Sequence, residues 1–201
     1  MTSFIPLGFR SLITGIAILL TFYAYIPYIK GIWTGTIRPH VFSWIIWGAT
    51  TFIVFFAQIA GNGGIGSAPI GFSGIITILV AWIAYKKRGD IKITRFDWFF
   101  FCLAVSSLPF WFYFSDPLAA VVVLSIADIL GFIPTFRKGY FFPNSEPVGF
   151  YLIFVFRNFL ALAGLAEWSI TTLLFPGSAG IACVVFVVMI KIRKLKLEMK
   201  S

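Results

Sequence analysis

Two charged side chains stand in stretches that are otherwise apolar: Asp128 within "VVVLSIADILGF" and Arg157 within "FYLIFVFRNFLALAG". A carboxylate can take up and release a proton. A guanidinium presents a planar fork of donors that matches carboxylate or phosphate with two parallel hydrogen bonds. Ionisable groups inside apolar helices are costly, which makes each a candidate for a functional site. Counted from the same end of their runs, Asp128 is about eight residues deep and Arg157 about nine, so at ~1.5 Å per residue they share a depth. That predicts a pair, with the carboxylate neutralising the guanidinium. The pair has two readings, a fixed bolt between neighbouring helices or a switch in which protonation of Asp128 frees Arg157 for an anionic group of a solute.

Other polar side chains surround these two. Asn158 follows Arg157 directly, and it serves either a solute or an interhelical hydrogen bond. Trp44, Trp47, Thr51 and Gln58 recur at helical spacing along one stripe. Trp44 reads as an interface anchor, whereas Trp47, deeper, reads as an aromatic wall suited to flat solutes. His40 is the only histidine, and no cysteine or carboxylate cluster accompanies it, so a metal centre is not expected. No serine–histidine, paired-aspartate or HExxH arrangement is present to support an enzyme. The stretch "GNGGIGSAP" at 61–69 lacks phosphate-loop spacing and reads as a flexible connector. No cofactor is implied.

The elements that would position these residues follow from composition. Of 201 residues 60% are hydrophobic and 11% charged, with a mean hydropathy of +0.97, against roughly 25% charged in soluble domains. Apolar runs able to cross ~30 Å of hydrocarbon as helix are read at 11–29, 41–60, 68–85, 97–114, 117–136, 148–166 and 169–191. Strand-length alternation is absent, so helices alone remain to satisfy the backbone in lipid. The fold class is therefore an all-α membrane protein with seven transmembrane helices. The first run is too long for a signal peptide and lacks a small-residue cleavage site, so it is expected to be retained. Cys102 and Cys183 fall inside runs and read as small buried hydrophobes.

The net charge of +9 has a topological explanation rather than nucleic acid as a partner. Lys30, Arg38, Lys86, Lys87, Arg88, Lys92, Arg95, Arg137, Lys138 and the tail lysines and arginines all fall on one side of a seven-span chain, and the opposite loops hold only Arg10. The positive-inside rule then predicts an outside N-terminus and a cytoplasmic C-terminus in a plasma or inner membrane. Anionic lipid heads suit the same charge. A homo-oligomer is left open.

A repeat runs through the chain. A shift of 107 brings Ile26-Pro27 onto Ile133-Pro134, Lys30 onto Arg137 and Pro69 onto Pro176. A shift of 108 brings Pro39 onto Pro147 and Phe42 onto Phe150. The fourth run has no partner, giving three plus one plus three: residues 1–88, a linker helix at 89–115, and residues 116–201. Because three is odd, the lone helix sets both trios the same way up, and parallel repeats of this kind place a transporter's site near the midplane. The same shifts put Thr21 opposite Asp128, Thr50 opposite Asn158 and Ala49 opposite Arg157.

With "YIPYIKG" and "FIPTFRK" in these positions, the chain resembles the SWEET and PQ-loop superfamily, built as two parallel three-helix bundles around an inversion linker helix. Tyr28 and Thr135 replace the glutamine of the PQ dipeptide. The asparagine that sugar pockets of the superfamily carry on the third helix of each bundle is absent from 68–85 and 169–191. The resemblance implies a transporter of a small polar solute by alternating access, uniport or proton-coupled, with Pro27 and Pro134 as cytoplasmic hinges beside Tyr28 and a pocket reached by Asp128 and Thr21. The alternative is a receptor or scaffold on the same fold, similar to KDEL receptors, that binds without translocating. A retinal protein is excluded, because the first lysine of the last run, Lys191, stands at its end.

Overall fold

The computed structural model describes residues 4–37, 39, 41–87, 117–141 and 147–199, with isolated positions between 95 and 113 and residue 143; the side chains of Ser43, Pro134, Arg137 and Lys138 are outside that description. The described residues form six α-helices and one 3-10 turn, with no strand among them. The helices are α1 (Leu7–Trp33), α2 (Val41–Ala60), α3 (Ala68–Lys86), α4 (Pro117–Phe141), α5 (Val148–Gly164) and α6 (Ile170–Glu198), and the 3-10 turn is Gly64–Ser67. Three segments are long and apolar enough to cross a membrane: Leu7–Trp33, Gly64–Lys86 and Ile170–Glu198. Shorter apolar helices run through Trp44–Ala60, Pro117–Ile133 and Val148–Gly164. This is an all-helical membrane protein. Of the linker helix expected at 89–115 only isolated positions are described, each of them helical, and His40 falls outside the described residues.

Several ends differ from the hydropathy reading. α1 and α6 extend well past the apolar runs, to 27 and 29 residues, or roughly 40 Å against ~30 Å of hydrocarbon. The extra turns of α6 carry Lys191, Arg193, Lys194 and Lys196. α1 also runs six residues beyond Pro27, which is exposed within the helix rather than at its end. A proline there removes one backbone hydrogen bond without ending the helix. α4 likewise continues through position 134 to Phe141.

Packing relies on small residues, as expected where lipid is as apolar as the side chains and helices adhere by close approach. α2 and α3 interlock in this way. A Cβ on Gly71 or Gly74 would collide with the rings of Phe55 and Phe52, and one on Gly48 would collide with Ile78. Around them, Ile46, Val54, Ala57, Ile70, Val121, Leu124 and Phe175 form one apolar core drawn from four helices.

Each helix rests against two others. α1 packs on α3 and α5, α2 on α3 and α4, and α6 on α4 and α5. The six therefore close a ring in the order α1, α3, α2, α4, α6, α5. A smaller contact between α2 and α6 cuts across one corner. Exchanging the first three helices for the last three maps the six ring contacts onto one another, while the corner contact between α2 and α6 has no α3–α5 counterpart of similar size.

The ring is fastened at one end by backbone. The segment 61–69, expected as a flexible connector, is instead tightly packed. Ala166 N donates to Gly63 O at 2.9 Å, and the Cα of Gly66 lies against the backbone of Gly164 and Leu165 with no room for a Cβ. Asn62 and Gly64 take positive φ of 58° and 62°, a conformation that glycine, and asparagine better than most, can hold. The composition that suggested looseness serves a close crossing.

Gly66→Ala should therefore destabilise the protein in detergent by about 1–3 kcal/mol, the usual range for an overpacked site, because backbone cannot withdraw as a side chain does. Gly177→Ala, where a Cβ meets nothing within 4 Å, should leave stability unchanged or raise it slightly. Thermal unfolding of the two variants side by side measures the contrast.

Candidate functional site

The midsection of the ring holds the charged residues singled out by sequence. On α5, Arg157 is 2% exposed and Asn158 equally so. Each guanidinium nitrogen has an acceptor: Nε donates to Thr21 Oγ1 at 3.1 Å, Nη1 to Asn158 Oδ1 at 2.7 Å, and Nη2 to the Pro69 carbonyl. Thr21 in turn donates to Ala17 O at 2.8 Å. The guanidinium also lies 5.6 Å from the centre of the Phe154 ring, on the preceding turn of its own helix. Arg157 thus leaves α5 and holds α1 and α3 on the opposite side of an interface.

Asp128 is elsewhere. It lies on α4, 7% exposed, with Oδ2 buried and without a hydrogen-bond partner. Ser125, three residues earlier on the same face, is 3% exposed and its Oγ is likewise unpartnered. The Asp128–Arg157 ion pair expected from sequence is not formed. Equal depth is insufficient, because α4 and α5 are not ring neighbours: α6 stands between them. Following α4 directly in the chain does not make α5 its neighbour in the ring.

Tyr25 is 4% exposed and was visible in the sequence only as a repeat match. Its hydroxyl is 2.7 Å from Thr77 Oγ1 and 3.4 Å from Ser73 Oγ. Thr77 gives its own proton to Ser73 O at 2.7 Å, so Tyr25 is the donor in the shorter bond. This hydroxyl chain ties α1 to α3 immediately beside the Arg157 network.

Toward the end of the ring that carries Lys30, Lys86 and Lys87, aromatic rings fill the interior. Tyr28 packs on Trp44 at 5.0 Å and on Phe150 at 5.2 Å, and Tyr25 meets Phe154 edge-on at 5.5 Å. Trp44 is 6% exposed, so it is part of the core and not the interface anchor its position suggested. Trp47 packs on Trp44 and on Phe132 of α4, and its Nε1 lies where a Cβ on Gly131 would stand, 2.9 Å away. Gly131 is three residues beyond Asp128 on one helix face, so the Trp47 indole edge lies within about one helical turn of Asp128 along α4.

The remaining candidates divide. Thr51 is buried one turn from Trp47, and Thr50 is turned to its own helix, donating to Trp47 O. Gln58 leaves the stripe for the far end, where its Nε2 donates to Thr172 O at 2.7 Å. Cys183 is buried, as expected, whereas Cys102 is exposed, and both are free thiols. The side chain of Pro134 is outside the described residues. Among the described residues no group of three metal-binding side chains occurs.

The Pro69 carbonyl, Tyr25 and Ser125 were not read as site residues. A backbone acceptor leaves no trace in side-chain types, and Ser125 differs from any other helix serine only by lacking a partner.

A double-mutant cycle reports on the geometry directly. Arg157→Gln should lower stability, because it takes a charged donor set from Thr21 and Pro69, while Asp128→Asn should be near neutral. Their coupling should fall within about 0.5 kcal/mol, as for residues without shared partners; a coupling well above 1 kcal/mol would mean that the two form an ion pair after all. No family model, curated protein or solved structure matches this chain.

Proposed function

We propose that the chain is a membrane transporter that moves a small polar solute by alternating access through a site near the middle of the helix ring. One observation carries the reading: six helices close a ring whose six neighbour contacts map onto one another when the first three and last three helices are exchanged. Such an arrangement favours two parallel trios related by an axis along the membrane normal, with a central site between them. It supports the SWEET-like resemblance and a division at 1–88, 89–115 and 116–201.

The residues that bear on solute are Asp128, Arg157, Asn158, Trp47, Thr51 and Thr21, with Tyr28, Pro27 and Pro134 acting at the basic end as gate and hinges. The basic end, where Lys87 stacks on Trp33 at 4.1 Å and Arg193 on Tyr140 at 4.1 Å, is cytoplasmic in this reading. The N-terminus is then outside, in a plasma or inner membrane. Neither a cofactor nor catalysis is part of the mechanism. For Arg157 to clamp an anionic group, it would first have to leave Thr21, Asn158 and the Pro69 carbonyl.

Counterflow in proteoliposomes tests the proposal. A labelled solute found by thermal-shift screening should accumulate transiently against its unlabelled form, and Tyr28→Ala should change the exchange rate several-fold. Saturable binding without any exchange would replace the carrier by a receptor or scaffold on the same fold.

A further inference from the structure

The two interior charges differ in what they lack. Arg157 has an acceptor at each nitrogen, all of them uncharged, so its hydrogen-bonding need is met within the protein. Asp128 Oδ2 is buried without a hydrogen-bond donor, and Ser125 Oγ beside it also has no partner. Among the described residues no basic side chain pairs with Asp128. A buried polar atom left in this state is expensive, and it persists most naturally where something else supplies the missing donor.

The surroundings indicate what that donor is. Within one helical turn of Asp128, Gly131 leaves space that Trp47 occupies, with Phe132 packed on the same indole at 6.0 Å. A carboxylate within a helical turn of an indole and a phenyl ring is a combination that suits a cation with an apolar body, which takes one charge-assisted hydrogen bond and packs its apolar part on the rings. Among the described residues, no second cationic side chain besides the already engaged Arg157 is recorded in this part of the ring to receive a carboxylate of the solute.

We infer that the site takes a small organic ammonium ion without a carboxylate, its ammonium on Asp128 and Ser125 and its apolar part against Trp47. This rests on the reading of the ring interior as a solute site and reverses the charge expected of the solute from Arg157 alone. In the complex the ammonium donates to Asp128 Oδ2 and to Ser125 Oγ, and Arg157 keeps its three partners.

The test is calorimetric titration of the purified full chain in detergent with three molecules of one shape: 2-phenylethylamine, 3-phenylpropionate and phenylalanine. The amine should bind saturably, at least tenfold tighter than the acid or the amino acid. Asp128→Asn should weaken the amine at least tenfold with unfolding temperature unchanged. Trp47→Leu, which keeps the charge, should weaken 2-phenylethylamine several-fold and leave methylammonium unaffected, so a second variant decides the matter if Asp128→Asn does not fold. Equal or tighter binding of the acid or of phenylalanine, an Asp128→Asn variant that binds the amine normally, or no saturable amine binding would each overturn the inference. Counterflow separates it from the carrier reading. An amine that binds without exchanging leaves this site in place and removes transport, whereas exchange of an acid with no amine recognition does the reverse.

Discussion

A guanidinium buried among helices must find acceptors inside the protein, and Arg157 finds them on the far side of an interface. Its partners on α1 and α3 are a threonine hydroxyl that already donates to its own backbone and the carbonyl of a proline at the start of a helix. Because both are neutral, the contact neutralises no charge. It does fix distance and register, since a planar fork accepts little misalignment. Of all the contacts between α5 and the first three helices, this one is least able to slip. The arginine thus helps to hold α5 against α1 and α3, beside the close approach of Gly164 to Thr14.

The rest of the ring follows from where small residues lie. Gly71, Gly74 and Gly48 let α2 settle on α3, which keeps α3 between α1 and α2. In the other half, Gly139 admits Phe186 and Ile190, and Gly180 admits Asn158, which keeps α6 between α4 and α5. With each third helix in the middle of its trio, α4 and α5 face away from each other along α6, and α2 is left to meet α4. The separation of Asp128 from Arg157 is a result of this order rather than of any repulsion between them.

Much of this was legible from residue types, and the illegible part has a common physical origin. Hydropathy located the helices because lipid demands apolar surface on every segment, and the two intramembrane charges stood out for the same reason. Adjacency was not legible. A helix shows which of its faces is apolar, yet in lipid all faces are, so the sequence of Asp128 and Arg157 gave depth but not azimuth. Trp44 illustrates the limit from the other side: its place near a span end is that of an anchor, and only the presence of Tyr25 and Tyr28 around it makes it core. The glycine-rich segment at 61–69 was misread because glycine permits both looseness and close approach, and composition does not distinguish the two.

The two ends of the ring are closed by different materials, and this bears on how a ring of this kind can open. At the basic end the closure is made of rings, Tyr28 on Trp44 and Phe150, which separate by side-chain rotation and break contacts worth about 0.5–1.5 kcal/mol each beyond their buried area. At the other end it is made of backbone: Gly66 against Gly164, the Gly63–Ala166 hydrogen bond, and Gln58 on the Thr172 carbonyl. These contacts can part only if whole helices move, and each parted amide or carbonyl must find water at once or remain unpaired at a cost of ~1–3 kcal/mol. Arg157 sits between the two closures and reaches toward the backbone one through Pro69. In the carrier proposed above, opening at the aromatic end would leave that hold intact, whereas opening at the backbone end would have to break it, so the two directions of access would be energetically unlike even though the six ring contacts map onto one another.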